Sequence, residues 1–145
     1  MIARSVYLDT SAVVKRYVAE EHTDKLDELY GKAHAGQLVL GFSAWNVGEL
    51  AVVLDKYEKR GLLTNAKALF GKFVGETRLL MKLGQLELVP LSFQVIASAA
   101  AYVFKYGIYV ADAVQLVSAK VFDAFLTYDK ELARVAREER LEVLL

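Results

Sequence analysis

Short apolar runs alternate with longer segments of helical spacing along the chain. Val6-Tyr7-Leu8 is apolar and partly β-branched, and Asp9-Thr10-Ser11 ends it, which predicts a buried strand leaving into a helix. That helix is expected from Ser11 to about Ala19. A second, about Glu21 to Ala35, carries Leu26, Leu29, Tyr30 and Ala33 at helical spacing, and Gly36 is its stop signal. Leu38-Val39-Leu40 reads as the next strand. The helix after it runs from Ser43 to Arg60, with Gly61 as its C-terminal cap. Thr64 to Gly84 reads as one long helix, with Gly71 or Gly75 as the place where it would bend. Leu86 to Leu91 is a third strand, followed by helices Ser92–Lys105 and Val110–Lys120. Asp123 to Asp129 is a fourth strand and its exit. Asp129 or Lys130 opens a last helix to about Arg140, and Leu141–Leu145 is a fifth strand.

Strands alternating with helices imply a parallel sheet covered on both faces. Ligands in such sheets sit beyond the carboxyl ends of the strands. Asp9 follows the first strand and Asp129 the fourth, so both should leave the same edge.

With 145 residues, one domain spanning 1–145 is expected. No repeat, low-complexity run or polar linker divides it, and the single proline, Pro90, closes an apolar run. Apolar residues make up 55% of the chain, which excludes disorder as the main state. The 18 basic and 18 acidic residues balance, so any contact with a polyanion must come from a local patch. With no cysteine, thiolate metal sites, cysteine nucleophiles and disulfides are excluded. Val95 to Phe104, broken only by Ser98, is far shorter than the roughly 20 residues of a membrane span and reads as a core helix. Met1 to Ser5 lacks the basic and apolar regions of an export signal, so a cytoplasmic location and no membrane partner are expected.

Several acids have ordinary structural readings. Asp9 and Asp129 can each cap the helix that follows. Asn46-x-x-Glu49 resembles a capping box. Asp112 is harder to dismiss. It sits in Ile108–Val117, a segment apolar nearly all round, with no Lys or Arg within one helical turn. A helix of that kind is normally buried, and a buried carboxylate needs a partner. If the four acids converge, each pair about 4 Å apart repels by about 4 kcal/mol at an effective dielectric near 20. Only cations or protons relieve such a cluster, and oxygen-only ligands suit Mg²⁺ or Mn²⁺.

Tyr7-Leu8-Asp9-Thr10-Ser11-Ala12, Trp45-Asn46-Val47-Gly48-Glu49-Leu50, Tyr109-Val110-Ala111-Asp112-Ala113-Val114-Gln115-Leu116 and Phe125-Leu126-Thr127-Tyr128-Asp129-Lys130-Glu131-Leu132 together resemble, in order and spacing, the acidic motifs of PIN-domain ribonucleases. In size the chain looks like the VapC-type toxins of toxin–antitoxin pairs. The resemblance implies a three-layer α/β/α fold around a parallel sheet of five strands. It also implies a metal-dependent endoribonuclease in which Asp9, Glu49, Asp112 and Asp129 bind Mg²⁺ or Mn²⁺. Thr10, Ser11 and Thr127 would orient the acids or their waters. A metal-activated water would attack the phosphodiester, leaving 5′-phosphate and 3′-hydroxyl ends. The fourth motif offers only Asp129, followed by Lys130 and then Glu131, so one ion and two both stay open. The implied partners are RNA, a second copy of the chain and a small antitoxin that covers the metal site.

RNA also needs cations. Lys15, Arg16 and Lys130 lie nearest the acids in sequence and are the chosen candidates. Lys56, Lys59, Arg60 and Arg134 lie farther out. His22 and His34 sit in a polar helical segment and read as surface residues. Trp45, Leu62 and Leu63, with Leu69, Phe70, Phe73, Val74, Leu79 and Leu80, exceed one narrow stripe and suggest a dimer surface around the long central helix.

Three rivals stand beside this reading. One is a stand-alone RNA-processing or structure-selective nuclease. Another is a non-catalytic binding module of the same fold, for which retention of four acids has no use. The third is a phosphoacceptor or phosphatase domain with Asp9 as nucleophile, disfavoured because positions 10–12 are Thr, Ser and Ala.

Overall fold

A computed structural model describes residues 4–144. Leu145, expected at the end of the last strand, and Met1–Ala3 of the amino-terminal stretch lie outside them. The described elements are β1 (Arg4–Leu8), α1 (Thr10–Tyr17), α2 (Thr23–His34), β2 (Leu38–Ser43), α3 (Ala44–Lys59), α4 (Ala66–Lys82), β3 (Leu86–Val89), α5 (Phe93–Tyr106), α6 (Val110–Ala119), β4 (Ala124–Leu126), α7 (Lys130–Glu138) and β5 (Val143–Leu144). The five strands form one parallel sheet in the order β3-β2-β1-β4-β5.

Strand residues alternate between the two faces, as the pleat requires. Val6, Leu8, Leu40, Phe42 and Leu126 pack with α1–α4 residues such as Ala12, Leu26, Leu50, Phe73 and Leu80. Tyr7 and Phe125 point the other way, against Leu116 and Phe122 and against Leu132 and Val135 of α7. The result is a three-layer α/β/α sandwich, as expected. Gly41 faces Phe122, and a Cβ there would sit 2.1 Å from the ring, so the sheet admits no side chain at that point.

Two expectations fail here. The stretch Val95–Phe104 is not a core helix. Within α5 only Ala99 is fully buried, while Phe93 and Phe104 are each 88% exposed. The helix packs through Val95, Ala99, Tyr102, Val103 and Tyr106, while Phe93 and Phe104 on its outer face stay exposed. Conversely, Phe73 and Leu80 of α4 are buried, and Leu63, Leu69, Phe70 and Val74 pack partly buried against the core. The bare surface expected there shrinks to Trp45, Leu62 and Leu79. Neither Gly71 nor Gly75 interrupts α4.

The sequence of crossings sets the site. The chain moves outward from β1 to β2 to β3, then returns across β1 to β4. The order reverses beside β1, and the crevice at such a switch point is where open parallel sheets bind ligands. Leu8 pairs in register with Leu126, so Asp9 and Thr127 emerge side by side at that crevice.

Candidate active site

Asp9 is only 5% exposed. It caps α1 by accepting the Ala12 amide at 3.2 Å, and the same oxygen accepts the Ser11 hydroxyl at 2.6 Å. Its other oxygen accepts the Thr127 hydroxyl at 2.6 Å. Burial pushes this carboxyl up to about 6. The Ser11, Thr127 and Ala12 donors pull against that rise, and the charge of Asp129 adds to it. The residue is both a helix cap and a strained acid.

Asp129 caps α7 through the Leu132 amide at 3.0 Å, and its own amide donates to the Thr127 hydroxyl at 3.1 Å. It is exposed. Asp112, in the first turn of α6, is half-buried rather than buried and accepts no hydrogen bond among the described residues. Burial raises its pKa, and the charges of Asp129 and Glu49 raise it further. No guanidinium or ammonium of the described residues is paired with it. The distant basic partner that a structural role would demand is absent among the described residues.

Glu49 is not the back-bonding member of a capping box. Ser43 is the cap of α3, and Asn46 is its reciprocal partner, accepting the Ser43 amide at 2.7 Å. Glu49, one turn farther on, instead accepts the Thr10 hydroxyl at 2.7 Å. Thr10 accepts from the Asn46 amide at 2.8 Å, and Asn46 also donates to the Gln115 carbonyl oxygen at 3.0 Å. That oxygen takes the Tyr7 hydroxyl at 2.7 Å. A buried polar chain therefore runs from β1 through α6 and α3 to Glu49. Nothing in the sequence marks Tyr7 or Gln115 as members of this chain, and Asn46, which reads there as a cap in its own right, is instead the partner of the Ser43 cap.

The charge of Asp129 acts on both Asp9 and Asp112, and that of Glu49 acts on Asp112. The four acids are not drawn into contact: among the described residues, no three acids or histidines stand close enough to form a ready-made ion cage. The donor set still fits a hard divalent cation. All four groups are carboxylates, hydroxyls fix Asp9 and Glu49 from behind, and Asp112 is uncommitted. Mg²⁺ is held by one or two carboxylates and keeps several waters, so an open ring of acids suits it.

A cleft of about 930 Å³ opens beside Glu49, Thr10 and Ser11, with Lys15, Lys56 and Arg60 along it. Lys56 and Arg60 have no acidic partner among the described residues. Lys15 reaches Glu20 at 3.3 Å yet still lines the cleft. Arg16 does not face the acids. It grips Glu76 through two nitrogens, at 3.0 and 2.7 Å, and Asp27 at 2.7 Å, on a separate surface, so its expected role in binding phosphate gives way to a structural one. His34 joins that ion pair, 2.9 Å from Glu76.

A sequence model of the PIN domain family matches residues 6–138. No curated protein matches the chain. Among solved structures, VapBC2 from Rickettsia felis, bound to a DNA fragment from their promoter, aligns with a TM-score of 0.60 at 17% identity, covering 97% of each chain. VapC20 of Mycobacterium tuberculosis, a toxin that cleaves the sarcin–ricin loop, aligns with a TM-score of 0.60 at 12% identity, covering 90% of this chain and 94% of that one.

Proposed function

Because the chain belongs to the PIN domain family, we propose that it is a Mg²⁺- or Mn²⁺-dependent endoribonuclease and the toxin of a toxin–antitoxin pair. The observation that carries the reading is Asp112. It is a half-buried acid, facing Asp129 and Glu49, that no cation or hydrogen-bond donor of the described chain satisfies. A folded domain has no structural use for it.

Asp9, Glu49, Asp112 and Asp129 would hold the ion. When bound, such an ion polarises water and offsets charge on the phosphate and leaving oxygen. The chain's own groups do the rest. Ser11 and Thr127 fix both Asp9 oxygens, which sets the direction of that carboxylate before substrate arrives. Thr10, held by Asn46, fixes Glu49 in the same way. Lys15, Lys56 and Arg60 give the RNA backbone a cationic wall in the cleft that Glu49 borders. No histidine is needed. His34 is committed to Glu76, and Ser11, which donates to Asp9, acts as a positioning group.

The VapBC2 and VapC20 structures support the toxin reading and a small antitoxin partner. A homodimer is also proposed, with a surface different from the one the sequence suggested: the apolar face of α5, centred on Phe93 and Phe104.

The deciding experiment is cleavage of a labelled RNA with and without chelator. Asp112→Asn should abolish divalent-dependent cleavage while leaving the circular dichroism spectrum and melting cooperativity unchanged. Cleavage at the parent rate by this variant, or parent cleavage that a chelator leaves intact, would refute the proposal.

A further inference from the structure

A second cleft, of about 630 Å³, lies on the other side of the acids. It shares Lys15 and Tyr128 with the first cleft, and it reaches Thr127 and Asp129. Its other contributors come from the α1–α2 turn and from α7.

The turn contributes Glu21 and His22, with His22 Nε2 3.4 Å from the highly exposed Glu21 carboxylate. The imidazole lies on the Tyr128 ring with centroids 4.7 Å apart and planes 14° from parallel. Lys15 Nζ stands 4.9 Å from the centre of the same ring. His22 has φ +71°, a left-handed conformation that costs any residue with a Cβ. His22 is the N-cap residue of α2, its carbonyl accepting the Lys25 amide at 3.1 Å, but its side chain makes no capping bond and is left for other contacts. The left-handed backbone places the ring on Tyr128 while 48% of the side chain remains exposed.

Helix α7 contributes Lys130, Ala133 and Arg137, which sit at positions i, i+3 and i+7 on one face. Neither Lys130 nor Arg137 is paired with an acid among the described residues. Arg134, which does not line the cleft, is clamped by Glu131 and Glu138. The helix therefore leaves its cations free only where they border the cleft, and Ala133 between them leaves room.

Unpaired nucleotides are recognised by this combination of aromatic stacking and cations. We propose that this cleft is a nucleotide subsite, in which an unpaired base stacks on the open face of His22, extending the His22–Tyr128 stack, while Lys130 and Arg137 hold flanking phosphates. The inference rests on the ribonuclease reading, for it sets the neighbouring phosphodiester beside Asp129. An acidic peptide would engage the two cations but would not need the stack.

The test uses the intact protein in chelator, where binding is read without cleavage. The probe is a fluorescein-labelled single-stranded RNA 12-mer of mixed sequence, alone or in a blunt duplex, followed by anisotropy. His22→Asn keeps a residue that tolerates the left-handed backbone but removes the aromatic face. It should weaken single-strand binding about tenfold, leave duplex binding within about twofold, and leave the salt dependence unchanged. His22→Tyr should restore most of the single-strand affinity. Lys130→Ala/Arg137→Ala should lower the slope of log Kd against log salt by about 1.4, two phosphate contacts' worth for a single strand.

Parent-like single-strand binding by His22→Asn would overturn the proposal, as would equal losses on single strand and duplex or an unchanged salt slope in the double variant. Failure of the two readings is distinguishable. A parent that binds through His22 but never cuts RNA would sink the nuclease and keep the subsite. A parent that cuts RNA while His22→Asn binds normally would sink the subsite alone.

Discussion

Replacing Asp9 by Asn separates the cost of burying this carboxylate from its use. Burial holds the group at about 6 in the folded chain against an ordinary value of 3.8. The difference of about 2 pH units corresponds to about 3 kcal/mol. The sign follows from proton binding. The folded chain holds this proton more tightly than the unfolded chain, so the stabilising contribution is full below 3.8 and is lost as pH rises through about 6. At pH 7.5, without divalent ions, the ionised Asp9 is a net burden.

Asn reproduces the neutral form. Its oxygen keeps the Ser11 hydroxyl and the Ala12 amide, and its NH₂ turns to Thr127 Oγ1, whose second lone pair is open beside the Asp129 amide. Asp9→Asn should therefore raise the melting temperature in chelator at pH 7.5 by up to about 10 °C, taking roughly 2–4 °C per kcal/mol for a chain of this size. The gap between variant and parent should close toward pH 4. Added Mn²⁺ should stabilise the parent and not the variant. Thermal denaturation by circular dichroism from pH 4 to 8 measures all three. A variant less stable than the parent at pH 7.5 in chelator would show that the ionised carboxylate contributes to the fold, and the reasoning would fail.

The ion-pair cluster on the far side of α1 behaves oppositely. Burial would raise Glu76, but hydrogen bonds from Arg16, His34 and Tyr17 outweigh it and hold the carboxyl at about 2. Its contribution is present above the ordinary value of 4.5 and disappears as pH falls toward 2. Glu76→Gln should therefore cost about 1–3 kcal/mol in urea unfolding at pH 7, with the difference shrinking in acid. Gly41→Ala drives a methyl into the Phe122 ring and should cost about 1–3 kcal/mol, part of which Phe122→Leu in the same chain should recover. Phe93→Ser/Phe104→Ser should leave stability nearly unchanged, because both rings are exposed, and should convert a dimer to a monomer in light scattering; a parent that is already monomeric at high concentration removes the dimer proposal.

Most strands were readable because each is a short apolar run closed by turn residues. The β2 strand extended past Leu40 to Ser43 because Gly41 and Phe42 continue the alternation, Phe42 toward α4 and Gly41 toward Phe122. Helix α5 misled for the opposite reason. Its composition signals burial, yet half of its apolar surface faces outward, and hydrophobic periodicity does not say whether a partner element exists in the same chain. The acids were legible because they sit at strand exits and in the opening turns of helices. Arg16 was not, since its partners Glu76 and Asp27 are brought to it only by the packing of α4 and α2 on α1. The His22–Tyr128 stack was invisible for the same reason, and the polar character of the surrounding residues made His22 look like ordinary surface.

Capping and chemistry turn out to be one geometry in this fold. A parallel sheet opens helices where its strands end, so α1, α3 and α7 start at the edge where β1, β2 and β4 finish, while α6 follows α5 and runs back toward the start of β4. An acid that caps at that edge spends one oxygen on its own helix and leaves the other free, as Asp129 does. Each helix end stabilises a carboxylate by about 0.3–1 kcal/mol, whereas two carboxylates in contact repel by about 4 kcal/mol, so helix ends can hold four acids near each other but not together. That balance accounts for acids that sense one another without touching. It also separates the residues by what the fold requires of them. Asp129 would be kept as a cap in a protein with no chemistry, and Glu49 could persist as a partner for Thr10, whereas at Asp9 an asparagine would cap α1 without the cost of a buried charge. Among the described residues Asp112 caps nothing and pairs with nothing, while its neighbours' charges oppose it. A purely structural domain would gain by losing this carboxylate, which is why the functional argument rests most heavily on it.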